Sequence, residues 1–213
     1  MKKIILPLLV VSMSIISCKK EEAKVEAVTP EVTTETTEVA EVAPDSAAVA
    51  KAWADYATPS AAHQMLAKDN GVWDADMTFW MEGNPEPQKA TSVATYKMIL
   101  DGKYQEGIFK GDMFGMAFEG RGMTAYDNAS KEYIATWADN MGTGLLVSRG
   151  QYDETTKAIT FIGAMVDPVT GKEKKIKEVI TYIDDNNQKM EMFDMNTDGK
   201  ELKTMEILSK RRK

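Results

Sequence analysis

From residue 71 onward the chain alternates apolar and polar positions in short runs, each closed by turn residues. Trp73, Ala75, Met77, Phe79 and Met81 fall on one phase and Asp74 and Asp76 on the other, so 71–82 reads as a half-buried strand. Gly83-Asn84-Pro85 ends it. Further runs follow at 91–100, 104–109, 113–126, 132–138, 144–152, 158–166, 172–183, 188–195 and 200–209. Asp101-Gly102 is a hairpin signal, Asp127-Asn128 a turn, and Lys110-Gly111-Asp112 reads as a break. Ahead of the strands, Asp45 or Ser46 can cap a helix through residue 57, with Val49, Trp53 and Tyr56 or Ala57 on one face. Pro59 stops it, and Ser60 can cap a second short helical turn that ends near Asn70-Gly71. About 9–10 strands, short turns and no crossover helices predict a mainly β protein. The expected architecture is an antiparallel up-and-down barrel, whose closure removes free edges, with a short N-terminal helical segment. An open sandwich is the alternative. A barrel of this size can keep an interior cavity.

The first residues follow another pattern. Met1-Lys2-Lys3 is a positive start, and 4–16 is an apolar run too short to span a bilayer, so 1–17 reads as a signal peptide. Ile15-Ile16-Ser17-Cys18 resembles a bacterial lipobox, which implies lipidation of Cys18 after cleavage before it. Cys18 is the only cysteine, so an intrachain disulfide framework and CxxC metal or redox sites are excluded. Lys20-Glu21-Glu22 resembles the export signal of surface lipoproteins of the Bacteroidetes type, and residue 19 is not the Asp of inner-membrane retention. The expected location is the cell envelope, as an outer-membrane lipoprotein facing the periplasm or the surface. Residues 18–44 are rich in Glu, Thr, Val, Ala and Pro, carry three lysines against seven glutamates and have no aromatic residue. Such a composition buries too little to offset ordering entropy, so this stretch reads as an acidic disordered linker.

Residues 45–213 then form one domain with enough length for a sizeable core. They hold 21 basic against 26 acidic residues, a mixed and mildly acidic balance that argues against nucleic acid as partner. The expected partners are the membrane, through the lipid anchor, and a small hydrophobic ligand.

Gly71-Val72-Trp73 resembles the G-x-W of lipocalin-like, or calycin, barrels. That resemblance implies a barrel-closing pair between Trp73 and a basic residue late in the last strand, Arg211 or Lys210, with Arg211 preferred. The chain also resembles an uncharacterised bacterial domain-of-unknown-function family with a lipocalin-like barrel. The matching pieces include Ile99-Leu100-Asp101-Gly102, Phe118-Glu119-Gly120-Arg121-Gly122 and Asp167-Pro168-x-Thr170-Gly171. The most specific is Trp137-x-Asp139-x-Met141-Gly142-Thr143-Gly144. This resemblance implies a fold and no catalytic residues.

The densest polar and aromatic stretch is 119–150. Arg121, Tyr126, Tyr133, Trp137 and Asp139 are the candidate pocket or rim residues, since Tyr133, Ala135 and Trp137 share a strand face. Glu119 and Arg121 also share a face and can pair inside or at the rim. A carboxylate near Glu119 or Asp139 offers acid–base chemistry only if desolvated. The favoured reading is that Asp127 and Asp139 fix tight turns through their own backbone while Arg121 crosses to a carboxylate on a neighbouring strand. Asp194-x-Asn196-x-Asp198-Gly199 imitates the start of a calcium loop, but its twelfth position is Met205 where a bidentate Glu is needed, so it reads as a hairpin turn. His63, the only histidine, sits in the second helical turn and suits a structural role better than a haem or metal ligand. No catalytic residue, metal or cofactor is assigned. The expected function is a lipid-anchored barrel binding a small apolar or amphipathic ligand. The alternatives are an envelope hydrolase or isomerase using the Glu119/Asp139 region, or an interaction module with a filled barrel.

Overall fold

The computed structural model describes residues 45–196 and 199–213. The expected signal peptide, Cys18 and the linker lie outside the described residues. Two helices precede ten strands: α1 Ser46–Ala57, α2 Ala61–Ala67, β1 Gly71–Phe79, β2 Gln88–Ile99, β3 Tyr104–Met113, β4 Met116–Asp127, β5 Glu132–Asp139, β6 Leu146–Asp153, β7 Ala158–Val166, β8 Glu173–Asp184, β9 Asn187–Met195 and β10 Glu201–Arg211. Each strand pairs antiparallel with the next, and β10 returns to β1, so the sheet is a closed up-and-down barrel. Closure leaves no row of unpaired edge amides.

Hairpin ends repeat one device. Asp127, Asp153, Asp167 and Asp184 each accept hydrogen bonds from backbone N–H groups two or three residues on. Those donors favour the ionised carboxylate and hold each of the four below the usual range. Asp139 likewise accepts a hydrogen bond from the N–H of Met141. The expected break at Lys110-Gly111-Asp112 does not occur. β3 runs on to Met113, and the turn falls at Phe114-Gly115, both with positive φ, 57° and 82°. Gly111 is there for a close approach: a Cβ on it would stand 2.2 Å from the Thr91 carbonyl oxygen across the ladder.

The helix α2 covers one end of the barrel. Leu66 packs with Tyr133, Ile159 and Phe161, all buried, and Ala62 and Met65 pack beside them. By contrast α1 buries none of its residues, and Trp53 is 66 % exposed. Asp45 caps its first turn by accepting from the Ala48 N–H at 2.8 Å. Its last turn is tied to the β4–β5 hairpin through Asn128, whose Nδ2 donates to the carbonyls of Asp55, Tyr56 and Thr58.

Candidate functional site: the barrel cavity

The inward phase of every strand faces a cavity of about 660 Å³. Seven methionines line it, Met77, Met113, Met141, Met165, Met190, Met192 and Met205, together with Phe79, Phe118 and Trp137. Methionine is unbranched and polarisable, so such a wall adapts to varied apolar shapes. At the end away from α2 the lining residues Met141, Leu145, Met165 and Val166 are 43 to 62 % exposed, which makes an apolar mouth open to solvent.

The floor, under α2, is polar. Asp69 accepts from Gln188 Nε2 at 2.5 Å and from Gln105 Nε2 at 3.1 Å, and the same Gln105 nitrogen donates to the Leu66 carbonyl at 2.7 Å. Burial dominates these bonds and pushes the Asp69 carboxyl up to about 6. Beside it Trp73 is fully buried and donates its indole N–H to the Asp69 carbonyl at 2.8 Å. The Arg211 guanidinium lies over the Trp73 ring, 4.2 Å from its centre, and donates to the carbonyls of Lys68, Asn70 and Asp185. Lys210, the other candidate, faces Asp74 in the register, on the outward phase.

Higher in the wall, one carboxyl stands on the apolar phase of β8. Glu178 shares its face with Ile176 and Ile180 and is flanked across the ladders by Phe161 and Met192. Its one hydrogen-bond partner among the described residues is the Ser148 hydroxyl, 3.3 Å from Oε2. These two groups sit two strands apart and meet over Gly163 of β7, where a Cβ would crowd the Ser148 Cβ at 2.9 Å. Burial raises the carboxyl above its ordinary value, and the single bond from Ser148 opposes this only in part.

The sequence-selected residues divide. Trp137 lines the cavity, stacked on Phe118 and edge-on to Phe109. Asp139 lines it too, but both its oxygens are committed, one to the Trp137 indole N–H at 2.8 Å and one to the Met141 N–H. Tyr133 is buried in the cluster beneath α2, and Tyr126 packs against it and against His63; neither is among the described residues that line the cavity. Burial and the neighbouring tyrosines push the Tyr133 hydroxyl up to about 12. Arg121 is a correction: it points outward, its side chain 60 % exposed, and pairs with Glu119 at 3.0 Å. Phe118, Gly120 and Gly122 take the inward phase, so Glu119 and Arg121 take the outer one. An acid–base pair between Glu119 and Asp139 is therefore not assembled. His63 closes a capping box: its Nδ1 accepts from the Ser60 N–H at 2.9 Å. Burial lowers its pKa, leaving a neutral ring engaged in the fold.

Glu178 and Ser148 escaped the sequence reading, as did Asp69 with its two glutamines. The signal for Glu178 was present, since Ile176, Glu178, Ile180 and Tyr182 share one phase of period two. Among the described residues no group of three or more His, Cys, Asp or Glu side chains is placed to hold a metal ion.

A closed ten-strand wall, a Trp–Arg lock at its base and a hollow apolar interior define a calycin-like barrel. A family model described as a protein of unknown function, DUF1579, matches residues 58–211, and the chain belongs to that family. Among solved structures, the crystal structure of Rv2717c from M. tuberculosis is similar, with a TM-score of 0.52 at 12 % identity, covering 73 % of this chain and 100 % of that one. The S-type phycobiliprotein lyase CPES from Guillardia theta is similar too, with a TM-score of 0.50 at 10 % identity, covering 71 % of this chain and 93 % of that one. At such identities the likeness is one of fold. A comparison with curated proteins finds no match.

Proposed function

We propose that the protein is an envelope lipoprotein, held to the outer membrane through Cys18, whose barrel binds a small apolar or amphipathic molecule. The observation that carries the binding half is the cavity: about 660 Å³, walled by methionines and aromatic rings and open through an apolar mouth. Cavities of roughly 300–1,000 Å³ suit small organic ligands. A filled barrel acting only as an interaction module has no use for such a space. Titration of the full chain with Nile red, a neutral apolar fluorophore, tests this. Saturable stoichiometric binding is expected, weakened by at least about threefold when the cavity is filled by Met192→Trp. Absence of saturable binding overturns the reading.

The anchoring half rests on the lipobox-like Ile15-Ile16-Ser17-Cys18 behind an apolar run. Among the described residues no helix is long and apolar enough to cross a membrane. Cys18→Ser is expected to move the protein from the membrane fraction to the soluble envelope fraction. Retention of the variant in the membrane fraction would remove the lipid-anchor reading.

A further inference from the structure

We infer that the cavity selects an amphipathic molecule carrying a basic amine head, with Glu178 as the residue that receives it and Ser148 holding Glu178 in position. The inference deepens the ligand-binding reading above and rests on it.

The wall is chemically one-sided. Among the described residues its lining includes four carboxyl residues, Asp69, Asp139, Glu173 and Glu178, and no lysine, arginine or histidine. An anionic head would enter a space lined by carboxylates, where the nearby cations are already engaged, Arg211 beneath the floor with backbone carbonyls and Lys174 with Asp194, at a cost set by low dielectric and like charge. The four are not equivalent. Asp139 is committed to Trp137 and the Met141 N–H, and Asp69 to two glutamine amides. Glu173 begins β8 at the mouth and is exposed. Glu178 alone combines depth in the wall with a single weak partner, the Ser148 hydroxyl at 3.3 Å. The cation nearest in sequence on its face, Lys174, is already paired with Asp194.

The surroundings explain why such a carboxyl is informative. Phe161, Met192, Ile176 and Ile180 give it no hydrogen bond, and desolvation raises its pKa. A carboxyl so placed works against the empty fold, and a ligand that donates hydrogen bonds and positive charge offsets that cost on binding. Gly163 clears the space over β7 through which Ser148 reaches Glu178, so the pair has a built geometry. An alkyl or aromatic body then lies along the methionine wall toward the apolar mouth. The selectivity expected is moderate, because the ammonium also loses its water.

The test uses three probes with the same alkyl chain, decylamine, decanol and decanoate. Each displaces Nile red from the full chain below its aggregation threshold. Decylamine is expected to bind at least about tenfold more tightly than decanol, with decanoate weakest. Glu178→Gln keeps the shape and is expected to bring the amine-to-alcohol ratio down by at least about threefold. Taking the change in that ratio cancels general attraction of an amine to an acidic surface. Glu178→Met, which extends the methionine wall, serves if the glutamine variant does not fold, with the same expectation. A wild-type ratio below about three, or a ratio that the variant leaves within threefold, overturns the amine assignment while leaving the ligand cavity intact. Failure of the dye and of all three probes to bind overturns the cavity reading itself.

Discussion

At the scale of single residues, the wall is set by which inward positions carry no side chain. Gly120 lies against Trp137, and a Cβ there would stand 2.4 Å from the indole. The Trp137 ring has little freedom to retreat, because Phe118 stacks on it, Phe109 meets its edge and Asp139 holds its N–H. Gly120→Ala is therefore expected to lower the unfolding free energy by about 1–3 kcal/mol, the usual cost of overpacking. The displaced indole should also change its fluorescence emission. A variant as stable as the wild type in urea, with unchanged emission, would show that the contact is not as tight as described. The same glycines explain why Arg121 was misplaced from sequence. Alternation is read from hydropathy, and in Phe118-Glu119-Gly120-Arg121-Gly122 two of the three inward residues carry no side chain to mark the phase. Glu178 was legible by the same rule, because isoleucines mark its phase on both sides. Its meeting with Ser148 was not legible. It depends on the register that brings Gly163 between them, and register across two ladders is not a property of any one strand.

At the scale of elements, strand order and turn positions followed from local chemistry, and the ends of the barrel did not. Alternating runs and turn residues marked all ten strands well enough to give the up-and-down order. The error at Lys110-Gly111-Asp112 arose because a glycine required for close strand approach looks like a turn glycine. Closure between β1 and β10 depends on a contact across most of the domain. Arg211 covers Trp73, and its three hydrogen-bonded carbonyls belong to the segment joining α2 to β1 and to the β8–β9 turn. One side chain thus fastens the first strand, the last strand and the covering helix. Arg211→Ala leaves those carbonyls without their charged donor and uncovers the Trp73 ring. It is expected to cost about 2–4 kcal/mol by urea denaturation, more than one neutral hydrogen bond supplies. Arg211→Lys should recover less than half of the loss, since an ammonium cannot reproduce the planar fork over the indole. Full recovery by lysine would mean that charge alone matters at this site. Among the described residues α1 has no comparable fastening to the barrel: Asn128 reaches the carbonyls at its C-terminal end, and the apolar side chains Val49, Trp53 and Tyr56 stay exposed.

At the scale of the whole molecule, acidic groups of two kinds oppose each other as pH changes. Asp69 and Glu178 are raised by burial, so the folded protein binds their protons more readily than the unfolded chain does. Their contribution to stability is full below the unfolded carboxylate range and is lost as pH rises through the folded values. For Asp69 that window runs from the ordinary 3.8 to about 6. Asp127, Asp153, Asp167 and Asp184 are depressed by backbone hydrogen bonds, so what they contribute is present above the unfolded range and lost on further acidification. The two trends cross in acidic solution, and stability is expected to peak between pH ~4 and ~5 instead of near neutrality. From pH ~5 to pH ~7 the buried carboxyls should lower the unfolding free energy by about 1–3 kcal/mol, the order that a shift of this size implies for a buried group, while His63, whose pKa burial lowers, gives part of this back as pH rises toward its ordinary 6.5. Asp69→Asn removes the larger titration and should flatten the slope without abolishing it, because Glu178 still titrates. Asn can keep one acceptor oxygen for the Gln105–Gln188 pair, so the variant is expected to fold. Urea denaturation of both proteins across this range checks the claim. A wild-type slope from pH ~5 to ~7 that Asp69→Asn leaves unchanged would mean that the floor carboxyl is solvated and the polar end of the cavity is open to water.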